Sequence, residues 1–264
     1  MWLFKNQHQE NVAHNPWLAY YKPNPKVKLR LFCFHYAGGS ASVFRTWANR
    51  LPEWVELLPV QLPGREGRIS ETPIDNVSEL VYALRSALKP YLTPYPFALF
   101  GHSMGGLIAY ELARSLELSG ESQLALLMVS SHPAPQITLD EYKIAGLSEE
   151  SFLFELNRRF NTIPDSMRQN QELIDLLMPM LRADFSLTEN YQYKPGKPLA
   201  CPVVVYGGMD DPEIKESALT PWQLQTVGAF NMRLFRGDHF YFQKSSENLL
   251  NDISSRLLRL AIPE

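Results

Sequence analysis

The sequence predicts an α/β fold, a mostly parallel sheet flanked by helices with one helical insertion. Two patterns carry this reading. Short apolar runs recur at 29–34 (LRLFCF), 55–62 (VELLPVQL), 97–100 (FALF), 124–129 (LALLMV), 203–206 (VVVY) and 230–235 (FNMRLF). Most are continuous rather than alternating, as expected of strands buried on both faces of a parallel sheet. Between them lie amphipathic helical patterns, and strands alternating with helices define the α/β class.

Taken in order, residues 1–27 are polar, carry Pro16, Pro23 and Pro25, and show no period. They read as a lead-in strapped to the domain by Trp17, Tyr20 and Tyr21. Residues 76–92 place Val77, Leu80, Val81, Leu84 and Leu88 on one helical face. Residues 104–118 form a second helical pattern directly after the FALF run. From about 146 to 192 the alternation breaks. In 148–160, Phe152, Leu153, Leu156 and Phe160 share a face, and in 171–187 Leu173, Ile174, Leu177, Leu181 and Phe185 do so. Pro179 is expected to kink the second stretch. This insertion between two strands is the expected lid over an active site. Residues 243–260 read as a closing amphipathic helix.

The length of 264 residues suits one α/β domain spanning 1–264 with the insertion inside it. A net charge of −3 gives neither the footprint of a nucleic-acid binder nor a polybasic membrane anchor. The N-terminus turns polar after Met-Trp-Leu-Phe and has no apolar core of a signal peptide. No apolar run approaches bilayer-spanning length. Cys33 and Cys201 lie far apart beside apolar runs and read as buried free thiols, so the reducing cytoplasm is the expected compartment.

The chemistry is carried first by Gly101-His102-Ser103-Met104-Gly105. G-x-S-x-G alone is weak, but here it follows a strand and opens a helix, the setting of a nucleophile elbow. Ser103 is therefore the candidate nucleophile of an α/β-hydrolase fold. The base should follow it in the chain, after an acid. His132 and His239 both follow Ser103, but only His239 comes after a credible acid at a strand end, in a loop before the last helix. His102 is expected to point into the packing of the elbow. The turn Gly207-Gly208-Met209-Asp210-Asp211 offers two acids after VVVY, with Asp211 preferred and Asp210 the alternative. Two amides must stabilise the tetrahedral oxyanion. One is expected from Met104, after the nucleophile, and the other from Ala37 in the His35-Tyr36-Ala37-Gly38-Gly39-Ser40 loop. No Walker lysine follows the glycine pair, so a nucleotide cradle is not expected.

With these residues in place, the chain resembles the type II thioesterases that accompany nonribosomal peptide and polyketide synthases, and is similar to the medium-chain thioesterase of fatty acid synthesis. The resemblance runs from about residue 28 to 250. It is carried by LFCFHYAGGSASVFRTW at 31–47, VQLPGREGR at 60–68, FALFGHSMGGLIAYELAR at 97–114, LMPMLRADF at 177–185, YGGMDDPEI at 206–214 and FRGDHFYF at 235–242. The QLPGRE and LRADF stretches are the most specific. His35 stands where many members carry proline, and Asp238 where many carry glycine. The resemblance implies Ser103, Asp211 and His239 as triad, Ala37 and Met104 as oxyanion donors, and 146–192 as lid. It further implies hydrolysis of acyl groups from the 4′-phosphopantetheine arm of carrier domains, with no cofactor of the enzyme's own, and a monomer. Acyl transfer, a cyclising product-release role and a carboxylesterase on small esters are the alternatives. A non-catalytic binding module is disfavoured by the intact Ser-Asp-His set.

Overall fold

The computed structural model describes residues 15–120, 123–137, 142–160, 170–244 and 246–261. The start of the proposed lead-in (1–14) and the stretch joining the two insertion helices (161–169) lie outside the described residues.

Six strands form one sheet in the order β2-β1-β3-β4-β5-β6, and every neighbouring pair is parallel. They are β1 (Leu29–Phe34), β2 (Val55–Pro59), β3 (Phe97–His102), β4 (Leu124–Ser130), β5 (Val203–Gly208) and β6 (Phe230–Phe235). The continuous apolar runs have a direct cause. In β1, Phe32 and Phe34 pack into the core on one face, while Leu31 and Cys33 pack into the core on the other. One face is covered by α1 (Val77–Leu88) and α2 (Met104–Leu118), the other by the C-terminal helix α7 (Ser246–Ala261) through Leu249, Leu250, Ile253 and Leu257. At the sheet edge β6 does alternate, with Asn231 and Arg233 exposed.

Several boundaries differ from the sequence reading for identifiable reasons. The 55–62 run stays apolar beyond β2 because Val60 and Leu62 are core residues, although the strand ends at Pro59. Helix α1 is capped by Asn76, whose side chain accepts from the Ser78 and Glu79 amides, as expected of an N-cap asparagine. It ends at Leu88, and Pro90 continues the chain as a 3₁₀ turn, Lys89–Tyr91. The insertion contains α3 (Glu149–Phe160) and α4 (Gln171–Glu189). Helix α4 runs continuously through Pro179, which faces outward. A short helix α5 (Glu216–Leu219) follows β5, and a single turn α6 (Tyr241–Lys244) precedes α7. In the lead-in, Trp17 packs against the core and Tyr21 meets Tyr91 edge-on at 5.5 Å. Tyr20 is exposed and bonds Glu66 instead, and Leu18 supplies the buried anchor. Cys33 and Cys201 are buried free thiols, as read from the sequence. Among the described residues no helix is long and apolar enough to cross a membrane.

This topology fixes where a site must lie. From β1 the chain moves to one side for β2 and then crosses to the other side for β3. The loops leaving the carboxyl ends of β1 and β3 therefore diverge and leave a crevice at the switch point, where ligands bind in open α/β sheets.

Candidate active site

The β1 loop, the β3–α2 turn, the β5 turn and the β6 loop all leave the same end of the parallel sheet. They bring Ala37, Ser103, Asp211 and His239 to that end, although these residues span two hundred positions of the chain.

Ser103 takes φ 53° and ψ −122°, a positive φ that a side-chain-bearing residue rarely adopts. Such a conformation costs on the order of 1–3 kcal/mol and persists only where the surroundings enforce it. Here the Ser103 amide donates to the Ser130 carbonyl at 2.7 Å, and the Gly106 amide donates back to the Ser103 carbonyl at 2.8 Å. The flanking glycines are required by close approach. A Cβ on Gly101 would stand 1.9 Å from the Gly105 carbonyl oxygen, and one on Gly105 would stand 2.2 Å from the Phe34 carbonyl oxygen. Helix α2 begins at Met104, so its positive end and free amides face the serine.

His239 follows β6 and is buried, with Nδ1 2.8 Å from Asp211 Oδ2. The other carboxylate oxygen of Asp211 accepts from the Glu213 and Ile214 amides at 3.0 and 3.1 Å. Burial raises the Asp211 pKa, but the hydrogen bond to His239, its charge and the two amides outweigh it and hold the carboxyl below its ordinary value. Asp210 is exposed. Its carboxylate accepts from the Gly237 amide at 3.3 Å and its own amide donates to the Gly237 carbonyl, which ties the β5 turn to the β6 loop. The two neighbouring aspartates thus do different things: Asp211 meets the imidazole, and Asp210 fixes the loop that carries it.

In the β1 loop the Gly38 amide donates to Asp184 and the Gly39 amide to the Tyr36 carbonyl. Among the described residues, neither the Ala37 nor the Met104 amide is taken by an acceptor. Ala37, Ser103, Met104 and His239 line one cavity of about 1200 Å³. Leu156 and Phe160 of α3 and Leu181 and Phe185 of α4 line it too, and the Phe160 ring lies 5.3 Å from the His239 ring.

His102 points away from the cavity into packing, as the sequence reading has it. Its Nδ1 lies 2.8 Å from Ser130 Oγ, which lies 2.7 Å from the Tyr241 hydroxyl, and its ring packs tilted against Phe242, with centroids 4.5 Å apart. Burial, with the nearby charge of His239, holds its pKa well below the ordinary histidine value. His35 is likewise buried, and burial together with Arg65 lowers it to about 3. The sequence reading missed two features. One is this His102–Ser130–Tyr241 chain. The other is the buried pair of Arg65 and Asp184, signalled only by the specificity of the QLPGRE and LRADF stretches.

Comparison with known proteins is consistent with this architecture. Residues 29–257 match the model of the thioesterase domain family. The chain is 37% identical over 250 residues to the gramicidin S biosynthesis protein GrsT of Aneurinibacillus migulanus, covering 95% of this chain and 97% of that one. It is 36% identical over 248 residues to thioesterase PikA5 of Streptomyces venezuelae, covering 94% and 88%. Among solved structures, the type II thioesterase BorB from the borrelidin biosynthetic cluster superposes with a TM-score of 0.81 at 32% identity, covering 92% and 97%. The chain therefore belongs to the thioesterase family of α/β-hydrolases, in the type II branch that accompanies nonribosomal peptide and polyketide synthases, and is a serine hydrolase.

Proposed function

We propose that this protein hydrolyses acyl and aminoacyl thioesters from the 4′-phosphopantetheine arm of carrier domains, clearing misprimed or stalled synthases in the cytoplasm. The supporting observation is the Asp211–His239 pair at 2.8 Å, whose imidazole lines the same cavity as a serine held at positive φ.

In this reading Ser103 Oγ attacks the thioester carbonyl carbon and gives its proton to His239 Nε2. The Ala37 and Met104 amides donate to the developing oxyanion, aided by the positive end of α2. Collapse breaks the carbon–sulfur bond, and the sulfur leaves as a thiol carrying the proton from His239. A water then gives its proton to His239 and attacks the acyl-serine, and the second collapse releases the acid and restores Ser103. Asp211 accepts from His239 Nδ1–H, which fixes the tautomer and stabilises the imidazolium. The pantetheine arm arrives with the substrate, so the chemistry needs no cofactor held by the protein. Helices α3 and α4 act as a lid. The cavity of about 1200 Å³ has room for a long arm and its acyl group together.

The test is mass spectrometry of carrier domains loaded with varied acyl groups, before and after addition of the protein. The acyl mass should disappear and the free arm return, with a matched oxygen ester turning over far more slowly. Ser103→Ala should lower kcat by about 10⁴–10⁶. Carriers that stay loaded, or a Ser103→Ala variant with near-normal rates, would sink the reading.

A further inference from the structure

The two most specific sequence stretches, QLPGRE and LRADF, are not explained by the triad. They meet in space. Arg65 Nη1 and Nη2 donate to Asp184 Oδ2 and Oδ1, both at 2.8 Å, and both side chains are almost fully buried. Such a fork-to-carboxylate pair is geometrically demanding. Asp184 Oδ2 accepts a further bond, from the Gly38 amide at 2.8 Å. Arg65 Nη1 also reaches the Gly39 carbonyl at 3.3 Å. The rest of the stretch turns onto the same loop: Gln61 Oε1 accepts from the Ala41 amide at 2.7 Å, and Glu66 Oε1 from the Ser40 hydroxyl at 2.6 Å.

The loop so held is the one that carries Ala37. Gly38 sits at φ 76°, and a Cβ there would stand 2.9 Å from Leu181 Cδ2, one turn before Asp184 on α4. The direction of an amide is set by the peptide planes on either side of it. Fixing the Gly38 amide on Asp184 fixes the orientation of the Ala37–Gly38 peptide, and the Gly39 amide bonded to the Tyr36 carbonyl closes the turn from the other side. The Ala37 amide is left as the one of these three without an acceptor among the described residues.

We infer that Arg65 and Asp184 are positioning residues for the oxyanion hole, and that through Asp184 the insertion helix α4 sets the direction of the Ala37 amide. Asp184 supplies the acceptor, and Arg65 neutralises and orients it. The Ala37 donor is then held by three segments, the β1 loop, the β2 loop and α4, so displacement of α4 disturbs catalysis as well as access. The inference rests on the assignment of Ala37 and Met104 as donors made above.

The test uses the full chain and two ligands. An acyl trifluoromethyl ketone adds to the serine as a tetrahedral oxyanion, whereas a nonhydrolysable amide analogue of the substrate does not. Asp184→Asn keeps the shape of the side chain, removes its charge and weakens its hold on the Gly38 amide. It should lower kcat about 10-fold to 100-fold, less than the 10²–10³ of losing a donor outright. KM should change less than about threefold. Trifluoromethyl ketone affinity should fall with kcat/KM while amide affinity stays constant. Arg65→Met/Asp184→Leu removes both buried charges together, a replacement that is often neutral for stability. It should restore the melting temperature without restoring kcat. If either folded variant keeps kcat within threefold of the parent, or loses both ligands equally, the inference fails. Trifluoromethyl ketone that does not bind the parent protein would instead overturn the serine mechanism itself.

Discussion

Gly105→Ala tests whether the approach of helix α2 to strand β1 sets the catalytic geometry. The added Cβ would stand 2.2 Å from the Phe34 carbonyl oxygen, 2.6 Å from its carbon and 2.7 Å from the His35 carbonyl oxygen, whereas Cβ atoms essentially never come closer than 3.0 Å. All three obstacles are backbone, so no side chain can swing aside, and the helix start and the strand end must part by about 0.8 Å. The oxyanion donors proposed above are Met104, which begins that helix, and Ala37, which follows that strand, so in this reading the separation opens the hole directly. A misplacement near 1 Å costs about 10²-fold in rate, and overpacking of this kind costs about 1–3 kcal/mol in stability. Gly105→Ala should therefore lose about 100-fold in kcat/KM on an acyl-pantetheine thioester and melt several degrees lower. Gly146→Ala is the control, because nothing lies within 4 Å of its added Cβ. A Gly105→Ala protein within threefold of the parent in kcat/KM would refute the claim that this contact sets the hole.

Three further outcomes follow from the geometry. Asp211→Asn should cut kcat by about 10⁴ through the wrong imidazole tautomer, whereas the exposed Asp210→Asn should lose about tenfold or less; steady-state rates in the reverse order would reassign the acid. His35 is held to about 3 when folded, so below its ordinary value near 6.5 the unfolded chain binds the extra proton, and stability falls as pH falls. That lowers stability by about 2 kcal/mol between pH 7 and pH 5, and His102 adds to it in the same direction. Urea midpoints at the two pH values measure the effect, and an unchanged or higher midpoint at pH 5 contradicts it. Phe152→Ala, which removes the fully buried ring edge-on to Phe185 at 5.6 Å, should cost about 3–5 kcal/mol, read as a lowered urea midpoint; a cost under about 1 kcal/mol would show that the insertion core is loosely packed.

Much of this protein is written locally. The strand runs, the α2 pattern and the elbow depend on neighbours in sequence, because burial on both sheet faces demands continuous apolar residues and a strand-turn-helix corner demands glycines beside the serine. The strained turn that carries Ser103, the candidate nucleophile, was legible for that reason. The order of acid and base along the chain narrowed the rest to His239 and a pair of aspartates. Spacing preferred Asp211 and kept Asp210 as the alternative; adjacent residues in a turn point in different directions, and the folded turn shows that Asp211 is the one that meets the imidazole. Nor could any period reveal that Arg65 and Asp184, 119 residues apart, share a buried pair. Local pattern records which faces a segment must bury. Which buried charges meet, and which loop amides find acceptors, is decided only when α4 and the loops of β1 and β2 are packed against one another.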